Sequence, residues 1–191
     1  MKSIMLSIQP KWCELIVNGK KTVEVRKTRP KIDVPFKCYI YCTKGSKVEQ
    51  MCFGKYTCRI GNGKVIGEFV CDDITEIHYH DWSGDYGVPM DLFFANIFAE
   101  STCLNYEELD KYLQGKDGYG WNISNLVIYD EPKELGEFYQ IGDNSIDYCV
   151  GCIYHETPAC EFPCYTCNGN RKYLTRPFQS WGYVDKSEGK K

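Results

Sequence analysis

Apolar and polar positions alternate from Ser3 to Ile8, with Ile4, Leu6 and Ile8 on one side and Ser3, Met5 and Ser7 on the other. That period of two predicts a strand with one strongly apolar face. Pro10 suits the first turn of a helix, and Trp12, Leu15 and Ile16 then share one helical face at i, i+3 and i+4. Asn18-Gly19 ends this helix, glycine being free to take the left-handed cap conformation. A second strand follows over Lys21–Lys27. There Val23 and Val25 point to the core, and Thr22, Glu24 and Arg26 share the opposite face.

Thr28-Arg29-Pro30 breaks the alternation. Phe36–Thr43 predicts a third strand, with Cys38, Ile40 and Cys42 on one side and Tyr39, Tyr41 and Thr43 on the other. Residues 44–63 are rich in lysine and glycine, with Met51–Ile60 a candidate edge strand. Gly61-Asn62-Gly63 is a hairpin signal ahead of the strand Lys64–Cys71, in which Glu68 shares a face with Ile66 and Val70. Residues 72–103 are aromatic and acidic and follow no clear period. Tyr106–Leu113 reads as a helix ending at Gly115, Ile123–Tyr129 as a strand closed by Asp130-Glu131-Pro132, and Gln179–Val184 as a last strand. Short strands, hairpin turns and two or three short helices predict an α+β fold, a small twisted β-barrel with short flanking helices.

Length and composition refine this picture. At 191 residues and 43% apolar, the chain makes one globular domain with room for an insertion. No apolar run approaches the ~20 residues that span a bilayer. The segment after Met1-Lys2-Ser3 is too short for a signal-peptide core, so a soluble, cytoplasmic protein with no membrane partner is expected. Net charge is −3, but residues 1–64 carry 14 basic against 4 acidic residues, and residues 65–191 carry 9 against 22. A basic third inside an acidic chain draws in an anionic partner. The plainer alternative is that these lysines solvate strand edges.

The charged face of the second strand has the same two readings. An exposed Glu24–Arg26 pair at i, i+2 is worth only ~0–1 kcal/mol. Lys11, Lys20, Lys21 and Thr22 cluster around the glycine turn beside it, and lysines, an arginine fork and a hydroxyl suit phosphate and sugar oxygens. Tyr39 and Tyr41 supply stacking surfaces if their face opens to the same cleft. Glu68, between Ile66 and Val70, is costly to bury alone and should meet a lysine from the glycine turn. Such a pair is either structural or tunes a lysine for acid/base work.

Twelve cysteines need accounting for. Cys13, Cys38, Cys42, Cys52, Cys58, Cys71 and Cys103 are scattered and read as small buried hydrophobes. Cys149, Cys152, Cys164 and Cys167 form two Cys-x-x-Cys pairs separated by eleven residues, the spacing of a closed tetrahedral zinc site. Cys160 and His155 lie between the pairs as alternative ligands, and free or redox-active thiols are the competing reading. Four thiolates leave no open position, so this structural zinc would pin an insertion rather than catalyse. Beyond it, Arg176, Gln179 and Trp181 either border the cleft or, with Phe178, pack the chain's end.

Gly19-Lys20-Lys21-Thr22-Val23-Glu24-Val25-Arg26, preceded by Ser7-Ile8-Gln9-Pro10 and a short amphipathic helix, resembles the ASCH domain of the PUA-like superfamily. Lys37–Thr43, Gly63–Glu68, Trp121-Asn122-Ile123 and Tyr129-Asp130-Glu131-Pro132 resemble its later strands, so the likeness covers roughly residues 3–139. It implies a PUA-like barrel with a basic cleft beside the first helix, and RNA or a modified nucleoside as ligand. The organisation is then an ASCH barrel over 1–140 plus 171–186, a Cys-rich insertion at 147–170 and a disordered tail at 187–191. Lys11, Lys21, Thr22, Glu24 and Arg26 would line the cleft, with Tyr41 or Trp121 stacking on a base.

Some relatives are amidohydrolases of acetylated cytidine that use a lysine, a threonine nucleophile and a glutamate. Lys21 matches that lysine and Glu68 the strand of the glutamate, but Glu24 stands where the threonine should be, and a carboxylate is a poor substitute for a hydroxyl nucleophile. Thr22 is the remaining hydroxyl for a hydrolase acting on a nucleoside amide or on RNA. A third reading is a protein-interaction scaffold held by zinc. The sequence says nothing about oligomeric state.

Overall fold

The strand β1 (Ser3–Ile8) is buried along its whole length because it has neighbours on both edges and cores on both faces. A computed structural model describes residues 3–45, 51–53, 56–58, 63–78, 98–140, 172–173 and 178–186. After β1 come α1 (Pro10–Val17), β2 (Val23–Arg26), β3 (Phe36–Cys42), β4 (Met51–Phe53) and β5 (Tyr56–Cys58). Then follow β6 (Lys64–Cys71), β7 (Ile74–Ile77), a helical turn at residues 98–102 and α2 (Tyr106–Leu113). The chain continues through β8 (Gly118–Asn122), β9 (Ser124–Lys133), β10 (Phe138–Gln140), β11 (Lys172–Tyr173) and β12 (Trp181–Lys186).

β1 pairs in parallel with β3, from Ile4↔Cys38 to Ile8↔Cys42, and antiparallel with β12, from Ser3↔Val184 to Leu6↔Trp181. Parallel neighbours need a crossover, and α1 with β2 provides it. Pro10 opens α1 as its sequence suggests, and Gly19 closes it at φ +68°. Lys20 and Lys21 both send their backbone N–H back to the Leu15 carbonyl. That cap explains why the second strand is shorter than expected. Lys21 is still tied to the helix end, and the Thr22 N–H bonds to Ser101 O.

Among the described residues the strands form a seven-stranded sheet, β11-β10-β12-β1-β3-β6-β9, a three-stranded sheet, β2-β8-β7, and the hairpin β4-β5. The expected closed barrel is not found among the described residues. β8 and β9 are nearly continuous, yet the chain changes sheet at Ile123 instead of carrying its pairing on, so the large sheet ends open at β11 and β9.

Among the described residues, three apolar clusters separate the layers. Ile4, Leu6, Ile8, Cys38, Ile40, Cys42, Phe69 and Trp121 pack between the large sheet, the small sheet and α1. Met5, Tyr39, Tyr41, Val65, Phe138 and Val184 pack on the large sheet's other face. Val25, Ile77, Leu109 and Leu113 join the small sheet to α2. Cys13, Cys38, Cys42 and Cys71 are buried and unbridged, as small hydrophobes. The remaining sequence expectations for Cys149, Cys152, Cys164, Cys167, His155, Cys160 and Arg176 lie outside the described residues.

One face assignment changes. Glu68 does not share a face with Ile66, because the β3–β6 register shifts there: Ile40 faces Gly67 while Tyr41 faces Val65. Ile66 is the extra residue of a bulge and turns into the inter-sheet core, whereas Glu68 lies opposite Tyr39 on the other side.

Gly67 itself is packed to the limit. A Cβ there would come 2.4 Å from the Val127 carbonyl oxygen and 3.0 Å from Ile128 Cδ1. Gly67→Ala should therefore lose ~1–3 kcal/mol in urea unfolding, since the obstacle is backbone. Gly136→Ala, with nothing within 4 Å of its Cβ, should stay within about 0.5 kcal/mol of wild type. Equal midpoints for both variants would refute this close approach.

Candidate functional site

β2 turns its charged face inward. Glu24 lies opposite Trp121 and Arg26 opposite Tyr119 in the antiparallel β2–β8 pair, so these four share the face that meets the large sheet. Lys21, Glu24 and Arg26 are 2%, 7% and 6% exposed. Burying three charges is tolerable only if they meet one another and enough hydrogen bonds, and here they do. Glu24 Oε2 is 3.4 Å from Lys21 Nζ, and Oε1 is 3.0 Å from Arg26 Nη2. Lys21 Nζ donates to Thr102 O at 2.7 Å, with the backbone of the helical turn at 98–102 supplying the acceptor. Arg26 donates from Nη2 to Ser7 O at 3.0 Å and from Nη1 to Ser180 Oγ at 3.3 Å. The cluster joins β1, β2, the 98–102 turn and the approach to β12. Burial holds the Lys21 ammonium below the ordinary lysine value, although the neighbouring Glu24 pulls the other way.

Two aromatic rings connect these buried cations to exposed lysines. Lys11 Nζ lies 4.3 Å and Lys21 Nζ 5.3 Å from the Trp12 ring centre. On the other flank Lys27 Nζ lies 5.4 Å from the Tyr112 ring, and Tyr112 is close enough to feel the charges of Arg26 and Glu24. Partial burial pushes the Tyr112 phenol up. Lys11, Lys20, Thr22 and Lys27 are exposed, Trp12 is half-buried and Tyr112 is 36% exposed. Lys11 also pairs with Glu108 at 3.4 Å, and Lys27 donates to Gln114 at 3.1 Å.

The structure thus brings Lys21, Glu24 and Arg26 together, places Trp121 beside them, and sets Lys11 and Thr22 at their margin. It revises several expectations. Thr22 is exposed rather than buried with the charged face, its N–H bonded to Ser101 O and its carbonyl accepting from the Ile123 N–H. Trp121 is fully buried, its ring edge-on to Phe36 at 5.6 Å and tilted against Trp181 at 6.0 Å, so it offers no open stacking face. Tyr41 lies in the cluster on the far face of the large sheet.

Glu68 meets no lysine of the glycine turn. It pairs with Lys37 at 2.7 Å and accepts from Tyr129 OH at 2.5 Å, on the Tyr39 face of the sheet. The proposed catalytic set Lys21, Thr22 and Glu68 is therefore not assembled. Among the described residues no group of three or more His, Cys, Asp or Glu side chains is arranged to hold a metal ion.

Sequence reasoning missed Trp12, which was absorbed into the apolar stripe of α1, and Tyr112, hidden in the α2 pattern. It also missed Ser7, Thr102 and Ser180, two of which contribute backbone oxygens that leave no side-chain signal. Of the lysines at the two rings, Lys11 and Lys21 were expected in the cleft, whereas Lys27 was visible only as part of the basic excess.

This two-sheet α+β arrangement with few helices is that of the PUA-like class. The model of the ASCH domain matches residues 6–113, more than half of the chain, and the chain belongs to the ASCH domain family. Among solved structures it is similar to the ASCH protein of Zymomonas mobilis, at 17% identity and TM-score 0.51, over 96% of this chain and 88% of that one. A mutant form of the same protein gives 17% identity and TM-score 0.51, over 97% and 92%. At this identity the likeness extends to the fold. A comparison with curated proteins found no match. No helix among the described residues is long and apolar enough to cross a membrane.

Glu24→Gln should destabilise the fold by about 3–5 kcal/mol, because two buried cations lose their shared counter-charge. Lys11→Ala, removing an exposed ion pair and an exposed contact with the Trp12 ring, should cost only about 1 kcal/mol. Lys21 sets a pH dependence as well. The unfolded chain keeps this proton up to about 10.5, whereas the folded protein releases it earlier. Between those two values the unfolded state holds more protons, so stability rises with pH. Urea midpoints should show wild type gaining on Lys21→Met across that window, and a Lys21 side-chain NMR titration at or above 10.5 would contradict it.

Proposed function

We propose that this chain is an RNA- or modified-nucleoside-binding module whose ligand surface is the Trp12–Tyr112 rim over the Lys21–Glu24–Arg26 cluster. The family is one proposed to bind RNA. The observation that carries the reading is the double bridge Lys11–Trp12–Lys21 and Lys27–Tyr112–Arg26, in which each partly open ring has an exposed lysine over or beside it. Rings that accept a base by stacking, beside ammonium groups that meet phosphates, are the general means of holding single-stranded nucleic acid. Lys20 and Thr22, exposed between the two rings in sequence, add a cation and a hydroxyl for backbone oxygens.

The two layers divide the work. The rim lysines are solvated and act through counterion release, which makes affinity fall steeply with salt. The buried charges are shielded from added salt and fix where the rings stand. A hydrolase built on Lys21, Thr22 and Glu68 finds no support in this geometry, since Glu68 lies across the large sheet from Lys21.

Anisotropy titrations of a short single-stranded RNA at several salt concentrations test the proposal. Wild type should bind with a clear negative slope of log affinity against log salt. Each phosphate contact removed should reduce that slope by about one, so Lys11→Ala with Lys20→Ala should reduce it by up to about two. Trp12→Ala should weaken binding with little change in slope. Affinities indifferent to both the lysine pair and Trp12 would rule the surface out.

A further inference from the structure

We propose that the inner end of this site receives a terminal phosphate, that of a nucleoside monophosphate or of a phosphorylated RNA end, on the Nε–H of Arg26 and the Nε1–H of Trp121. The proposal rests on the nucleic-acid reading above and names the group that reaches furthest into the protein. Arg26 and Trp121 are 6% and 0% exposed, and these two nitrogens have no hydrogen-bond partner among the described residues. Buried donors in folded proteins are nearly always satisfied, so two unmet ones in one place point to an acceptor supplied from outside.

They are in one place by register. Arg26 faces Tyr119 and Glu24 faces Trp121, which makes Arg26 and Trp121 diagonal neighbours on one face of the β2–β8 ribbon. Diagonal neighbours stand roughly 7–8 Å apart, within reach of long and aromatic side chains. Ser180 sits against the same guanidinium. Its Oγ accepts from Arg26 Nη1 at 3.3 Å, which leaves its hydroxyl proton free to donate in turn. The inner end thus presents unmet donors on Arg26 and Trp121 beside the Glu24 carboxylate.

Charge then selects among acceptors. Lys21 and Arg26 bring two positive charges against the single carboxylate of Glu24. A nucleobase carbonyl would satisfy the donors and leave the excess cation uncompensated, whereas an oxyanion meets both demands. Steric access selects further. An internal phosphodiester carries a sugar on two of its oxygens and cannot be pushed onto donors this deeply buried. A terminal phosphate has one ester link and three outer oxygens, and can enter end-on while the nucleoside remains at the Trp12 and Tyr112 rings.

The test uses one RNA sequence with a 5′-phosphate, a 3′-phosphate or hydroxyl ends, titrated into the full chain. One phosphorylated form should bind at least tenfold more tightly than the hydroxyl-ended RNA. Trp121→Phe, which keeps a ring and removes the N–H, should erase most of that preference, as should Arg26→Lys. Nitrogen-15 NMR of wild type, independent of any variant's folding, should show the Arg26 Nε–H and Trp121 Nε1–H resonances shifting on addition of adenosine 5′-monophosphate. Equal binding of all three RNAs by wild type, with both resonances still, overturns the phosphate subsite and leaves the RNA reading standing. Shifts with the monophosphate but no RNA bound would uphold the subsite and overturn the RNA reading.

Discussion

The Glu24 carboxylate lets a strongly charged strand face the inside of this protein. β2 crosses from the first helix to the small sheet, and the side it turns toward β1 carries Glu24 and Arg26 rather than apolar residues. Without Glu24 the space between the sheets would hold two cations with no counter-charge, a state that folding does not tolerate. With it, the cations are free to spend their remaining N–H groups on backbone oxygens. Arg26 reaches Ser7 O and Lys21 reaches Thr102 O, so one carboxylate indirectly ties together segments about eighty residues apart. An apolar cluster of the same volume would hold the layers as firmly. It would not fix which carbonyl meets which strand, and a ligand surface depends on that specificity.

The same arrangement sets the positions of the outer groups. Trp12 lies between Lys11 and Lys21, one exposed and one buried, so the ring has its place from the inner cation while the outer one remains solvated. Tyr112 stands in the corresponding relation to Lys27 and Arg26. A rim built this way is pre-ordered, and ordering done during folding is not charged again when a ligand binds.

Local signals were legible in the sequence where a period or a turn residue carried them. β1, α1 with its Pro10 start and Gly19 stop, the β6 bounds and the α2 bounds follow from residue pattern alone. The charged alternation of Glu24 and Arg26 marked two members of the buried charge cluster. What the pattern did not carry was the third layer. A strand with Val25 on one face and charges on the other reads as half-exposed, and nothing in Val23–Arg26 shows that both faces are covered. Glu68 failed for a different reason. A bulge of one residue at Ile66 inverts every later side chain of β6, and a strict period of two has no means of showing it. Tyr41 was placed in the site because a tyrosine face was assumed open, whereas it packs under Phe138 and Val184.

The hydrogen bonding of Lys21 also bears on what kind of chemistry suits it. A lysine that attacks or takes a proton needs its lone pair directed at a reactant, and burial does lower its proton affinity in that direction. Here, however, the ammonium is turned to the Thr102 carbonyl at 2.7 Å, with Glu24 at 3.4 Å and the Trp12 face on its remaining side. All three partners are acceptors of positive charge, and each prefers the protonated form. Giving up the proton would leave the Thr102 carbonyl and Glu24 facing a weaker donor, so these partners oppose burial, which is the larger effect and lowers the proton affinity. A cation held in this way orients its neighbours and attracts anions. That suits the binding role proposed above, and a carboxylate at position 24 is the counter-charge the cluster requires.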